Sequence, residues 1–215
     1  MKLKQLFESI PTSKQEVEAI LKKYNITNYV INDDLSVDVD GNVNLVNKKL
    51  IALPVTFGKV NGNFDCYANQ LTSLQGAPRE VGGGFYCSDN QLTSLQGAPR
   101  EVGGVFYCHN NQLTSLRGAP REVGEDFDCS DNQLATLQGA PREVVRNFYC
   151  TYNQLTSLRG APREVGGGFN CSDNQLTSLK GAPREVGGNF VCDNNELTSL
   201  DGIGNVGGQI FSDLA

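Results

Sequence analysis

The chain is poor in histidine, which leaves little for histidine-based catalysis or for metal binding by imidazole. Its 215 residues include one His, one Met and no Trp. It contains no run of about 18 consecutive apolar residues, which a membrane-spanning helix requires. Basic residues are outnumbered, with 18 Lys and Arg against 24 Asp and Glu and a net charge of −6. Because a phosphate-binding surface needs the opposite sign, we expect no nucleic acid partner and no membrane insertion.

Seven cysteines recur at a fixed interval of 21 residues. A Phe stands two residues before each cysteine, and columns of Leu, Asn and Pro keep the same interval. A fixed period in this range predicts a solenoid, in which each unit is one coil that buries its apolar face against its neighbours. The cysteines are Cys66, Cys87, Cys108, Cys129, Cys150, Cys171 and Cys192.

The repeat extends beyond the cysteines at both ends. Leu45 lies 21 residues before Cys66 and belongs to a degenerate first coil, while Ile210 takes the Phe position of the last coil. The sequence therefore divides into a cap, residues 1–38, and an array of about eight coils, residues 39–215, with no evident C-terminal cap.

The first 38 residues do not repeat and predict two short helices followed by two short strands. Apolar residues at helical spacing define the helices, and Glu16 stands in the capping-box place of the second one. Two helices before an array could form a DNA-reading helix-turn-helix. We favour a small cap, because the helices mix Lys with Glu and repeat arrays need covered ends. The predicted elements are helices at 3–10 and from Thr12 or Ser13 onward, and strands at 28–31 and 35–39.

One coil is represented by residues 85–95, which follow the pattern F-x-C-x-x-N-x-L-x-x-L. This pattern resembles the L-x-L-x-x-N-x-L core of the leucine-rich repeat, with Phe and Cys replacing two leucines. The resemblance covers about residues 39–212 and is greatest to the short bacterial or phage-type repeats. The return path, residues 76–83 and their copies, contains proline and paired glycines, which exclude a regular helix there.

The resemblance implies a parallel sheet with one strand per coil and a column of inward-facing asparagines. Such asparagines hydrogen-bond backbone groups that the bend leaves unpaired, which makes their burial tolerable. We therefore interpret this column as structural. Its members are Asn69, Asn90, Asn111, Asn132, Asn153, Asn174 and Asn195.

The cysteine column could suggest a disulfide or zinc framework, but solenoid geometry argues against both. Equivalent side chains of adjacent strands point in parallel, whereas a disulfide needs a particular Cβ–Sγ–Sγ–Cβ geometry. Zinc needs four ligands that converge tetrahedrally, which a single column does not supply. We predict reduced thiols that pack as small hydrophobic groups, without metal or cofactor, and keep metal or redox chemistry as the alternative.

Reduced cysteines indicate a reducing compartment. The N-terminal run Met1–Glu8 is too short in apolar length for a signal peptide. We expect a cytoplasmic protein, and an extracellular or virion-associated location stays open.

Outward positions near each strand vary from coil to coil, while the Gly-Ala-Pro-Arg-Glu-Val segment is the same in six coils. In leucine-rich repeat proteins such strand-face positions bind a partner protein, and tyrosine offers large contact area with a polar tip. The alternative is that Tyr and Thr merely suit an exposed strand. The candidate partner-binding residues are Tyr67, Tyr86, Tyr107, His109, Asp128, Asp131, Tyr149 and Tyr152.

Other functions are less favoured by the sequence. The one His, His109, has no recurring nucleophile–base arrangement around it, so we expect no enzyme. The acidic patch of Glu125, Asp126, Asp128 and Asp131 could attract Ca²⁺, but residues that alternate along a strand do not converge as calcium ligands must. A threonine column beginning at Thr72 resembles ice-binding solenoids, but it lies in a bend.

The second functional hypothesis is a structural subunit that assembles end to end. No cap follows the last coil in this sequence, and an uncovered sheet edge invites another chain. We therefore expect self-association, as a dimer or a filament, through an edge formed by Val206, Ile210, Phe211 and Leu214.

Overall fold

The structure, a computed structural model, describes residues 11–214, which form one helix and nineteen short strands. The helix is α1 (Lys14–Lys23). The strands are β1 (Tyr29–Ile31), β2 (Val37–Val39), β3 (Val43–Asn44), β4 (Phe57–Val60), β5 (Phe64–Asp65), β6 (Glu80–Val81), β7 (Phe85–Tyr86), β8 (Glu101–Val102), β9 (Phe106–Tyr107), β10 (Glu122–Val123), β11 (Phe127–Asp128), β12 (Glu143–Val144), β13 (Phe148–Tyr149), β14 (Glu164–Val165), β15 (Phe169–Asn170), β16 (Glu185–Val186), β17 (Phe190–Val191), β18 (Asn205–Val206) and β19 (Ile210–Phe211).

Helix α1 begins where the sequence predicts a helix. Ser13 is its N-cap, and its Oγ accepts a hydrogen bond from the N–H of Glu16 at 3.3 Å. The carboxylate of Glu16 accepts from the N–H of Thr12 at 2.7 Å, one residue before the N-cap. The other predicted helix, at 3–10, lies outside the described residues.

The strands form two sheets, and each sheet is built from strands of successive coils. This arrangement confirms a parallel β-solenoid of about eight coils. The front sheet contains nine parallel strands, from β3 through the odd-numbered strands to β19. Its register equals the period, so Phe85 lies beside Phe106 and Tyr86 beside Tyr107. The return-path sheet contains ten strands, β1, β2 and the even-numbered strands to β18.

The return-path sheet was not predicted, because each of its array strands is only two or four residues long and most are flanked by Pro and Gly. In the Glu80–Val81 strand the valine is buried and the glutamate is exposed. The N–H of Arg79 donates to the carbonyl of Gly58, and the N–H of Gly82 donates to that of Val60. Each coil therefore has two strands rather than one.

The predicted N-terminal strands form an antiparallel hairpin, β1 with β2, and β2 continues in parallel with β4. This hairpin extends the return-path sheet toward the N-terminus. Val17 and Leu21 of α1 are buried in the same hydrophobic cluster as the coil residues.

Stacked columns of identical residues fill the core. The phenylalanines that begin the front strands are fully buried, and their rings stack with centroids 5.2–5.4 Å apart from Phe64 to Phe190. The paired leucines of each coil lie behind them. Because every coil buries its residues against the next, the array forms one continuous core.

Glycines in the return path have two different roles. Gly76 and its copies have a left-handed backbone, with φ of +90° at Gly76. The paired glycines that follow Val81 and its copies do not have this conformation. A Cβ at Gly82 would lie 2.3 Å from the carbonyl oxygen of Asn61, so close stacking of neighbouring coils favours glycine there.

Candidate functional site

The asparagine column lies inside the bend that follows each front strand. The Oδ1 of Asn90 accepts a hydrogen bond from the N–H of Leu71 at 2.9 Å. Its Nδ2 donates to the carbonyls of Cys66 and Cys87, both at 3.1 Å. Leu71 and Cys66 belong to the preceding coil, so each asparagine joins two coils. The predicted structural column is confirmed.

The cysteine column is buried and carries no disulfide. All seven cysteines are free, and each is at most 1% exposed. The thiol of Cys129 donates to the carbonyl of Tyr149 at 3.4 Å. Burial raises the pKa of Cys129 well above 9.0, and that of Cys192, nearer the end of the array, to about 11. The thiols are therefore protonated at neutral pH and are poor nucleophiles.

Tyrosines from neighbouring front strands pack against one another on the outer side of the front sheet. Tyr86 and Tyr107 have ring centroids 5.6 Å apart at 84°, and Tyr107 lies 6.0 Å from the ring of His109. The Tyr86 ring also covers Gly84, where a Cβ would lie 2.7 Å from it. These side chains are half-buried, so each ring is held in place while part of it faces solvent.

The tyrosine hydroxyls lie in an acidic environment. Burial raises the pKa of Tyr107, and the carboxylates of Asp126 and Asp128 raise it further. Tyr149 is affected in the same way, by burial first and then by the same two carboxylates. Each hydroxyl therefore remains a neutral hydrogen-bond donor at physiological pH.

His109 forms polar contacts with two other coils. Its Nδ1 lies 3.0 Å from the Oγ of Ser88 and 3.3 Å from the Oδ2 of Asp128. The hydrogen bond with Asp128 raises the pKa of His109. Burial works against ionisation of Asp128, but hydrogen bonds from His109 and Ser130 outweigh it and lower the pKa of that carboxyl.

Asp131 and Tyr152 were expected at outward strand positions, but both lie in the turn after the strand. They belong to a column of left-handed residues, with φ of 52° and 51°. Asp and Asn tolerate this conformation and hold five of the seven positions after each cysteine-containing segment. Tyr152 is 59% exposed, and Tyr67, which precedes the turn of its own coil, is 41% exposed.

The position after each cysteine is not uniformly outward, as the sequence suggested. Ser88, Ser130 and Ser172 in this column are buried. The larger members Tyr67 and His109 reach solvent. Thr151 and Asp193 are half-buried, so the column reaches solvent only where a residue larger than serine stands.

A second amide column was missed in the sequence. The Oδ1 of Asn63 accepts from the N–H of Gly84, and that of Asn147 from the N–H of Gly168, both at 2.7 Å. Asp126 has the same place and accepts from the N–H of Asn147 at 2.9 Å. The recurrence of Asn or Asp directly before the Phe could have revealed it.

A groove on the front sheet adjoins Tyr149. Its volume is about 390 Å³, and its lining includes Gly168, Asn170 and Val191. Asn170 and Val191 occupy the strand position that Tyr86 and Tyr107 occupy in earlier coils. Their smaller side chains leave this space open.

The last strands of both sheets have a neighbour on one side only within the described residues. Strand β19 pairs with β17, and β18 pairs with β16. Ile210 and Phe211 are each 42% exposed, while Val206 and Leu214 are half-buried. The four predicted edge residues thus lie at or beside an uncovered strand.

No group of three or more His, Cys, Asp or Glu side chains among residues 11–214 could hold a metal ion. Over the same residues, no helix has the length and apolar character needed to cross a membrane.

Comparison with known proteins assigns no family. No protein-family model matches the chain, and no curated protein matches its sequence.

Proposed function

We propose that this protein is a non-enzymatic binding module of the leucine-rich repeat type, and that its front sheet binds another protein. The repeat pattern supports the family assignment, since Phe85, Cys87 and Leu92 occupy the inward positions that leucines take in that repeat. The asparagine column supports it as well, because Asn90 and its equivalents bond the backbone of two coils.

The observation that carries the binding proposal is the row of half-exposed tyrosines on a rigid sheet. Tyr86 and Tyr107 are already packed in a fixed arrangement, so a partner would order few side chains on binding. The return path offers a different surface, in which Arg and Glu columns alternate. Exposed pairs such as Arg163 with Glu164 contribute little to affinity or stability.

A non-enzymatic role is supported by the surroundings of His109. A nucleophile–base–acid relay uses both ring nitrogens of the histidine, one for each partner. Here Ser88 and Asp128 contact the same nitrogen, Nδ1. Ser88 is also only 1% exposed, so its hydroxyl is not accessible to a substrate.

Affinity capture from the source organism's lysate, with matched variants as baits, tests the binding proposal. Tyr107→Ala and Tyr149→Ala should each weaken a specific partner by about 1–2 kcal/mol, as central aromatic contacts do. Arg121→Ala, on the exposed return path, is the control and should retain the partner. A partner that is lost equally from both kinds of variant would argue against a front-sheet site.

The second candidate function is end-to-end assembly, favoured by the exposure of Ile210 and Phe211 on a strand that is paired on one side only within the described residues. A two-fold contact would give a dimer, whereas a head-to-tail contact would propagate into a filament. Light scattering on the 215-residue chain, and on its Ile210→Lys/Phe211→Lys variant, distinguishes these outcomes. A monomer at all concentrations would contradict assembly.

The reduced, buried cysteine column fits a reducing compartment, so we also propose a cytoplasmic location.

A further inference from the structure

The net charge of the protein is concentrated on the outer side of the front sheet. We define the front face as the six positions from the residue before each Phe to the left-handed turn residue. The front face contains seven Asp, five of the seven Tyr, one His and no Lys or Arg, which leaves 17 acidic and 18 basic residues for the remainder of the chain. The segments are 63–68, 84–89, 105–110, 126–131, 147–152, 168–173 and 189–194.

Apart from the contact of His109 with Asp128, the described front-face carboxylates have polar neighbours but no Lys or Arg. Asp65 accepts from the N–H of Tyr67 at 3.0 Å, and Asp173 accepts from Asn194. The ion pairs of Lys and Arg within residues 11–214 all lie elsewhere, as in Lys59 with Glu80. His109, which contacts Asp128, is the one titratable base on the face.

Asp65 shows what the lack of a nearby cation does to a front-face carboxyl. It is half-buried, and this burial raises the pKa of its carboxyl, because no cation compensates for the lost water. A cation placed beside it would remove that disadvantage of the ionised form.

The strand position of Asp65 also fixes the distance between two acidic residues of the front face. Asp65, Tyr86, Tyr107 and Asp128 occupy the same strand position in four successive coils, in register. Coils spaced by about 4.8 Å put the backbone positions of the two aspartates about 14 Å apart. In an extended chain, residues i and i+4 are on the same side and about 13 Å apart.

We propose that the front face receives an extended segment of the partner that carries Arg or Lys residues four positions apart. Asp65 and Asp128 are the ionic partners of the two cations, and Tyr86 and Tyr107 form the aromatic surface between them. This inference rests on the proposed protein-binding function. Guanidinium groups also stack on tyrosine rings, so the column suits arginine best.

A titration with synthetic peptides tests the inference. The probe is a short Gly-Ser peptide with two arginines four residues apart, added to the isotope-labelled 215-residue protein at low salt and followed by NMR. One control peptide has citrulline in place of arginine, which keeps the shape and removes the charge. The other has the two arginines adjacent, which keeps the charge and changes the spacing. We expect the spaced arginine peptide to bind most tightly and to shift the resonances of the front face.

Substitutions of the two aspartates test whether their side chains contact the arginine peptide. Asp65→Asn and Asp128→Asn keep an oxygen that can accept from Tyr67 and Ser130, so the local turns remain intact. Each should weaken the peptide by about two- to fivefold, the range of an exposed ion pair. Glu122→Gln, on the return path, should leave the affinity unchanged.

The outcomes separate this inference from the proposed function. Equal binding of the citrulline and arginine peptides, with both weakened by Tyr107→Ala, would overturn the cationic partner and keep the front-sheet site. Equal binding of adjacent and spaced arginines would overturn the spacing. No shift of front-face resonances with the spaced peptide would overturn the inference, while lysate capture by the tyrosine variants decides the proposed function independently.

Discussion

The side-chain oxygen of Asn132 accepts a hydrogen bond from the backbone N–H of Leu113 at 2.9 Å, across the boundary between two coils. The same amide donates to the carbonyl of Cys108 in the preceding coil and to that of Cys129 in its own. These bonds satisfy buried backbone groups that the bend removes from the sheet. Each asparagine of the column therefore links two neighbouring coils by hydrogen bonds.

Asn132→Ala should lower the free energy of unfolding by about 2–4 kcal/mol, because it leaves a buried N–H and three carbonyls with fewer partners. Urea denaturation followed by circular dichroism measures the change. Gln133→Ala, at the exposed neighbouring position, is the control and should have little effect. A loss below about 0.5 kcal/mol for Asn132→Ala would mean that water replaces these bonds without cost.

Alkaline pH should unfold the protein through its thiols. Burial raises the pKa of the cysteines above their ordinary value of 9.0, for example at Cys108 and Cys129. The folded state therefore keeps protons that the unfolded state releases above pH 9, so stability is complete below that pH and falls above it. Above pH 9, each thiol that stays protonated in the folded state lowers the free energy of unfolding by about 1.4 kcal/mol per pH unit.

Urea midpoints measured at pH 8, 9 and 10 test this dependence, and thiol-reactive labelling at pH 8 tests the burial on which it rests. Native protein should label slowly and denatured protein at all cysteines. A Cys108→Ala/Cys129→Ala variant should be less stable at pH 8 but show a shallower decline above pH 9. A decline of the same slope in that variant would assign the pH dependence to other groups.

The contact between His109 and Asp128 predicts a second pH effect. Because the hydrogen bond with Asp128 raises the pKa of His109, the imidazolium form stabilises the fold below pH 6.5 and loses that contribution as pH rises through the folded pKa. His109 is the only histidine, so its ring resonances are assigned without ambiguity in an NMR titration.

In that titration Asp128→Asn should lower the pKa of His109, whereas Asp131→Asn should lower it less, since Asp131 acts only through its more distant charge. Equal effects of the two substitutions would show that general acidity of the face, rather than the specific contact, raises the pKa.

The period alone predicted much of the scaffold. Phe85, Cys87 and Asn90 could be placed inward because strand alternation and the repeat pattern agree, and adjacent copies had to stack in register. The second sheet could not be predicted in this way. Strand Glu80–Val81 is only two residues long and lies in a three-residue segment between Pro78 and Gly82, so its pairing arises from stacking with the neighbouring coil rather than from local propensity.

The details of the candidate site also depend on three-dimensional packing. Ser88 is buried because side chains from other coils, including His109, lie against it, a relation that one strand's alternation does not contain. The diagonal contact of His109 with Asp128 likewise joins two coils. The left-handed turn could have been recognised, because Asp and Asn recur at the position of Asp89 in most coils.

Tyr152 is the residue least suited to that turn. It has φ of 51° in a column otherwise occupied by Asp, Asn and one Ala, and its side chain is 59% exposed. A left-handed backbone costs a residue with a bulky side chain about 1 kcal/mol, whereas Asn adopts it more readily. Tyr152→Asn should therefore raise the free energy of unfolding by about 0.5–1 kcal/mol, measured by urea denaturation. Asn110→Ala, in the same conformation at an exposed position, should have the opposite sign.

The same substitution tests whether the unfavourable residue serves the binding site. If Tyr152 contacts the partner, Tyr152→Asn should weaken capture while it stabilises the fold, since strained residues persist where function requires them. A variant that is more stable and binds the partner as tightly as the intact protein would remove Tyr152 from the proposed site and leave Tyr86, Tyr107 and Tyr149 as its aromatic contacts. A variant that is less stable would instead show that the Tyr152 ring packs against the neighbouring coils strongly enough to offset its backbone conformation.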